Sequence, residues 1–251
     1  MKKIFINVVI SLNLILIWGV LLILIITPPL FLIALVWSPF DRKGNLVHRL
    51  ACFWCKVVLK GCFFNVCVEG KDRADPREPY IFMPNHSSIF DHLVLLAYLP
   101  VSFRYVGKEE IFSLPFFGWV CTHARYIPLN RSRPREGILT LEKTAEIIND
   151  GVSIVIYPEG TRSKDGQIHK FKRGGFLLAV KTGHRIIPVS ISGAQRIMPT
   201  KSLKVSPGSI KVVLGQPIST NGEGRAEQAE LMEEVHKVIE ANYDPEYGAR
   251  E

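Results

Sequence analysis

From Ile4 to Phe40 the chain has no charged residue, a gap of 37 consecutive positions in a protein that elsewhere carries 31 Lys and Arg and 23 Asp and Glu. About 20 apolar residues are enough to cross a bilayer, so the run has length to spare. No small-x-small site closes it and its apolar length far exceeds a signal-peptide core, which predicts a retained anchor instead of a cleaved leader. The cysteines number only five, odd and unevenly spaced, which argues against a disulfide framework and for a reducing compartment. No internal repeat occurs, and no recognisable nucleic-acid module accompanies the formal charge of +8. That charge suits anionic lipid surfaces and acidic partners, including acidic carrier proteins.

What is present begins with the anchor. Pro28-Pro29 is expected to divide the run into Ile4 to Thr27, long enough to span alone, and Leu30 to Trp37, which is too short and must return, lie in the interface or pack on protein. Lys2 and Lys3 flank one side and Arg42, Lys43 and Arg49 the other, a distribution that suits a helix dipping in with both ends on the cytosolic side. Leu46 to Phe64 is again largely apolar, with Arg49, Lys56 and Lys60 able to snorkel, and predicts an interfacial helix paired with the first. His48, Cys52 and Cys55 share one face of it, a pattern equally expected of an apolar helix face and too incomplete for a metal set. The domain expectation is therefore membrane-anchoring helices over 1–62 and one globular α/β unit over 63–251.

Beyond the anchor, short apolar runs alternate with helical stretches. Strands are expected at Phe64 to Val68, Tyr80 to Met83, Phe103 to Val106, Val152 to Ile156, Ile186 to Ile191 and Ile210 to Leu214, with helices such as Arg135 to Asn149 and Glu227 to Ala241. The fold class is α/β: a mostly parallel sheet flanked by helices, with motifs at strand ends, preceded by an N-terminal membrane-embedded helical anchor.

The densest chemistry follows the second strand candidate, in Asn85-His86-Ser87-Ser88-Ile89-Phe90-Asp91. A histidine can accept a hydroxyl proton near neutral pH, and a carboxylate beside it fixes the tautomer and stabilises the imidazolium. Residues five apart on a regular helix are rotated by roughly 140°, so His86 and Asp91 can share a site only if His86 sits in the turn and Asp91 in the first coil. Ser87 and Ser88 are suitable N-caps for a helix running toward Pro100, and Ser88-x-x-Asp91 also resembles a capping box, which accounts for Asp91 without chemistry. A metal held by His86, Asp91 and His92 lacks further ligands.

The tie is broken by Tyr157-Pro158-Glu159-Gly160-Thr161-Arg162-Ser163, directly after the apolar run Val152 to Ile156. Together the two segments resemble the glycerolipid acyltransferase family, the first its His-x4-Asp motif and the second its Glu-Gly-Thr-Arg-Ser motif. Tyr126-Ile127-Pro128-Leu129-Asn130-Arg131 is similar to the family's second block and Ile186-Ile187-Pro188-Val189-Ser190-Ile191 to its fourth, with Asn130 standing where many members have Asp. The resemblance implies transfer of an acyl group from acyl-CoA or acyl-carrier protein to the free hydroxyl of lysophosphatidic acid (1-acylglycerol-3-phosphate), giving phosphatidic acid. It needs neither cofactor nor metal and implies a membrane location, the inner membrane in a bacterium, with the active site on the cytoplasmic face. By the same resemblance His86 and Asp91 are catalytic, while Arg131, Glu159, Gly160, Thr161, Arg162 and Lys108 bind substrate.

The residues can do that chemistry. A thioester is already activated, so no enzyme nucleophile is needed; the barrier lies in deprotonating an alcohol while an oxyanion develops. An arginine fork matches a phosphate, and seven Lys or Arg lie between Arg162 and Arg185 against the single acid Asp165, most of them expected on a solvated or membrane-facing surface. Lys108 reads equally as a phosphate ligand or a surface lysine at a helix start. Glu159 can contact a glycerol hydroxyl, pair with an arginine or order its turn, and Gly160 permits positive φ or close backbone approach. For the acyl chains, Ile111 to Val120 offers either a groove open to the bilayer or, preferably, ordinary core helix. A sister acyltransferase acting on glycerol-3-phosphate, another lysophospholipid or a lyso-aminolipid would keep both motifs. A serine hydrolase would call for a Gly-x-Ser-x-Gly elbow that the chain lacks, and a lipid-binding protein without activity would not need His86.

Overall fold

The computed structural model describes residues 2–130, 134–200, 205–220 and 225–248. Among them the chain runs α1 (Lys2–Trp37), α2 (Asn45–Gly61), β1 (Asn65–Glu69), β2 (Ile81–Pro84), α3 (Phe90–Tyr98), β3 (Phe103–Lys108), α4 (Glu109–Phe112), α5 (Phe117–His123), β4 (Ile127–Leu129), α6 (Pro134–Asn149), β5 (Ser153–Val155), α7 (Arg173–Thr182), β6 (Ile186–Ser192), α8 (Ala194–Ile197), β7 (Ser209–Leu214) and α9 (Arg225–Asn242). The strands form one sheet in the order β1-β7-β6-β2-β5-β3-β4. All neighbours are parallel except β6 and β7, so the mostly parallel sheet expected from the alternating pattern is what forms.

Strand alternation sorts the core into two layers. Phe82 points to the side covered by Val58 and Leu59 of α2, Phe90, Val94 and Leu95 of α3 and Ile197 of α8. Its neighbours Ile81 and Met83 point to the other side, under Ile148 of α6, Phe176 and Leu178 of α7 and Val235 of α9. The central strands are buried on both faces, which is why they read as continuous apolar runs. β1 alternates exposed and half-buried residues, as an edge strand does.

Two sequence expectations are corrected here. α1 is one continuous helix through Pro28 and Pro29 instead of two pieces. Each proline removes one N–H, but packing on both sides of the pair holds the helix: the Trp18 indole donates to the Gly61 carbonyl at 2.8 Å, the Trp54 indole to Thr27 Oγ1 at 2.9 Å, and Phe31 meets Trp119. The stretch Leu16–Phe40 is long and apolar enough to cross a membrane and is scarcely covered by protein. Second, Ile111 to Val120 is not a core helix. It forms two short helices with Leu114, Phe116 and Phe117 turned out to solvent at 51, 68 and 64% exposure.

The α1–α2 hairpin is clamped to the sheet. Asp41 accepts the first amides of α2, from Asn45, Leu46 and Val47 at 2.7 to 3.0 Å. Arg104 of β3, fully buried, donates to the Lys43 carbonyl at 2.8 Å and to Asn45 Oδ1 at 2.6 Å. Arg125 adds a contact to the Arg42 carbonyl. The His48 ring bridges the Tyr126 hydroxyl at 3.0 Å and the Cys52 sulfur at 3.5 Å.

Candidate active site

In a parallel sheet the C-terminal strand ends share one edge, and here that edge collects the motifs. β2 runs into His86, β5 into Tyr157 to Arg162, β3 ends at Lys108 and β4 precedes Asn130. The turn after β2 is pinned by Asn85, whose amide oxygen accepts the Ile191 amide at 2.7 Å and whose amide nitrogen donates to the Ile191 carbonyl at 3.0 Å.

His86 and Asp91 meet as their spacing requires: His86 lies before α3 and Asp91 in its first turn. His86 Nδ1 is 2.8 Å from Asp91 Oδ2, and the same oxygen accepts the backbone amides of Ser87 and Ser88, each at 2.8 Å. One oxygen thus ties the turn and the imidazole together, a geometry that serves the capping role and is the one a general-base pair would need. Asp91 is fully buried, and its Oδ1 has no partner among the described residues. With Nδ1–H donated to the carboxylate, Nε2 is left as the basic nitrogen. The helix itself starts later than expected. Ile89 is the N-cap, and Ser88 Oγ instead accepts the Phe90 amide at 3.3 Å while donating to the Met198 carbonyl at 2.8 Å.

Three residues shape the imidazole environment that the motif pattern does not single out. The Tyr157 ring stacks on His86 at 3.9 Å with planes 23° apart, and His92 meets His86 edge-on at 5.0 Å. Tyr157 OH lies 3.3 Å from His92 Nδ1, and Tyr105 OH donates to the His92 carbonyl at 3.1 Å. Burial holds the His92 imidazole down to about 3, with lesser electrostatic contributions from neighbouring His86 and Arg162, so it is neutral at physiological pH. Burial also drives the Tyr157 phenol well above its usual range, so it stays protonated. Period-2 alternation is what marks Tyr157 and Tyr105 as inward-facing, but nothing in the sequence pairs them with His86.

Glu159 is buried and gives both oxygens to backbone: Oε1 accepts the His86 amide at 2.9 Å and Oε2 the His169 amide at 3.1 Å. Of the three roles open to it, this geometry supplies the ordering one. Its carboxyl is raised above the usual range by burial, against the opposing pull of those two amides. Ser163 N donates to the His86 carbonyl at 2.7 Å, so the peptide of His86 is held on both sides by the Tyr157 to Ser163 segment. Thr200 Oγ1 joins the same two turns through the Ser87 and Ser163 carbonyls at 2.8 and 2.9 Å.

Gly160 has φ +75°, and a Cβ there would lie 3.0 to 3.1 Å from Lys172 Cδ, Cε and Nζ. The glycine thus makes room for a lysine that folds over the turn, a cation the motif pattern left among the surface run. Thr161 and Arg162 are exposed, and Arg162 has no ion pair among the described residues. Lys108 is exposed at the start of α4 and pairs with Glu110 at 2.9 Å, as a surface lysine would. Arg131 lies outside the described residues. Its neighbour Asn130 donates to Glu109 Oε2 at 2.7 Å.

Comparison with known proteins places this arrangement in a family. A family model described as Acyltransferase matches residues 65–192. The chain is 33% identical over 207 residues to the chloroplastic 1-acyl-sn-glycerol-3-phosphate acyltransferase of Arabidopsis thaliana, covering 79% of this chain and 57% of that protein. It is 32% identical over 198 residues to the 1-acyl-sn-glycerol-3-phosphate acyltransferase of Pseudomonas aeruginosa, covering 77% of this chain and 75% of that one. The crystal structure of the 1-acyl-sn-glycerophosphate acyltransferase PlsC from Thermotoga maritima superposes with a TM-score of 0.69 at 26% identity, covering 87% of this chain and 93% of that one. The chain belongs to the acyltransferase family. It spans little more than half the length of the Arabidopsis relative.

Proposed function

We propose that the chain transfers an acyl group from an acyl thioester, acyl-CoA or acyl-carrier protein, to the sn-2 hydroxyl of 1-acylglycerol-3-phosphate, giving phosphatidic acid. The observation that carries this is the His86 Nδ1 to Asp91 Oδ2 contact of 2.8 Å at the C-terminal edge of the sheet. His86 Nε2 takes the hydroxyl proton as the oxygen attacks the thioester carbonyl; the C–S bond breaks, and the imidazolium returns the proton to the departing thiolate. Asp91 keeps the ring in the required tautomer and stabilises its charged form. Tyr157 and neutral His92 hold the ring plane. Arg162, with Arg131 and the lysines Lys108 and Lys172, supplies positive charge for the acceptor phosphate, and Glu159, Gly160 and Thr161 shape the turn that presents it.

The anchor supports a membrane location with the site facing the cytoplasm. α1 packs along α2, which itself packs into the core of the sheet, so the hairpin suits a helix that enters one leaflet and returns beside the catalytic unit. Acyl transfer by the purified protein in liposomes, offered both donors and a panel of acceptors, tests the assignment. Phosphatidic acid from 1-acylglycerol-3-phosphate is the expected product. Transfer only to another acceptor would move the substrate, and fatty-acid release without transfer would overturn the reaction.

A further inference from the structure

The turn between α4 and α5 presents apolar side chains where a soluble enzyme would place polar ones. Ile111, Leu114, Phe116 and Phe117 are 37, 51, 68 and 64% exposed and form a contiguous stretch of chain. The backbone is strained to hold them there. Phe116 has φ +61° and ψ −54°, and Phe117 N donates to the Pro115 carbonyl at 2.7 Å, a γ-turn of the rare positive-φ kind with a bulky residue at its centre. Strain of this sort persists where a function needs it.

The turn does not stand alone. Phe31 of α1 meets Phe116 at 5.5 Å and Trp119 at 5.0 Å, both edge-on, and α5 packs with Ala34 of α1 and Val47 of α2. Its apolar surface is therefore continuous with the exposed α1 side chains Leu32, Ile33, Leu35, Val36 and Trp37. Exposed cations border it at the loop that follows α1: Arg42 and Lys43, with Arg125 bonded to the Arg42 carbonyl. An aromatic and aliphatic patch edged by Lys and Arg has the chemistry of a headgroup boundary with anionic lipid. The turn also lies at the end of β3, on the same sheet edge as His86.

We propose that the Ile111 to Phe117 turn is a second bilayer-inserting element, which with α1 holds the His86 edge of the sheet against an anionic lipid surface. The proposal rests on the membrane reading above and extends it from the anchor to the catalytic unit. A lipid acceptor then reaches His86 sideways from the leaflet without leaving it.

The test uses the full-length protein in liposomes containing anionic lipid. Phe117→Trp supplies a readout independent of activity: the emission it adds over wild type should be quenched by brominated acyl chains, and unquenched emission would overturn the insertion. The double variant Leu114→Glu/Phe117→Glu, checked for an unchanged melting temperature, should lose about tenfold or more in turnover of a long-chain acceptor held in liposomes. The same variant should keep its turnover of a short-chain, water-soluble acceptor. Equal loss with both acceptors, or equal retention, would overturn the proposal, as would a wild-type dimer that the double variant dissolves. If wild type acylates no lysophosphatidic acid while Phe117→Trp is quenched, the acceptor assignment fails and the insertion stands.

Discussion

Glu159 Oε1 accepts the backbone N–H of His86 at 2.9 Å, which joins the Asn85 to Asp91 and Tyr157 to Ser163 segments by a carboxylate-to-peptide bond and not through a side-chain pair. The position of His86 therefore depends on a carboxylate whose two oxygens both go to backbone. Glu159→Ala leaves the buried His86 amide unpaired, at about 1–3 kcal/mol, and also removes the acceptor of the His169 amide, whose residue is exposed to water. The expected outcome is a lower melting temperature together with a lower kcat. An unchanged kcat would show that His86 is held well enough without it.

The same carboxyl gives a pH signature. Its folded value is raised by burial, so the native state binds its proton more tightly than the unfolded chain. Its contribution to stability is accordingly greatest below the ordinary value of 4.5 and declines as pH rises through the folded value. Measured against Glu159→Gln, which does not titrate, wild type should lose relative stability as pH rises upward from about 4.5. A relative gain over that range would reverse the sign.

Gly160→Ala places a methyl group at φ +75° and against Lys172. The backbone cost is roughly 1–2 kcal/mol, and the lysine must swing off the turn. If Lys172 assists the acceptor phosphate, KM for the acceptor should rise more than kcat falls. A fall in kcat alone, with KM unchanged, would assign the lysine no part in binding.

Arg104 couples the α1–α2 hairpin to the sheet through the Lys43 carbonyl and Asn45 Oδ1, with no carboxylate in hydrogen-bond contact with its guanidinium among the described residues. Arg104→Met keeps the bulk and removes the donors, leaving the buried Phe103 carbonyl unsatisfied at about 1–3 kcal/mol and cutting the part-buried links to Lys43 and Asn45. Limited proteolysis should then cut the loop between α1 and α2 before the sheet opens. Resistance equal to wild type would mean that apolar packing and the Arg125 and His48 contacts hold α1 and α2 without Arg104.

These relationships also show which parts of the molecule a linear reading reaches. Ile81 to Met83, Ser153 to Val155 and Ile186 to Ser192 are buried on both faces, and a continuous apolar run carries that fact directly. His86 and Asp91 are local in sequence, so their spacing almost determines their meeting. β4 is different: Ile127–Leu129 is three residues long with a proline at its centre, too short for any periodicity. Continuity of α1 through Pro28 and Pro29 depends on partners 27 and 43 residues away in Trp54 and Gly61. The outward turn of Phe116 and Phe117 was hidden because a bilayer-facing apolar segment and a core segment have the same composition. Likewise, the stacking of Tyr157 on His86 spans two strands, and residue spacing carries no information about it.

The most direct test of the account is the rate of phosphatidic acid formation by His86→Ala and Asp91→Asn beside wild type, with melting temperatures recorded for all three. Removal of the base should cost roughly 10²–10⁴ in kcat with the fold intact, and Asp91→Asn, which leaves the ring without its charged partner, should approach the same loss. Full activity in folded His86→Ala would contradict the mechanism and reduce Asp91 to the residue that ties down the turn before α3.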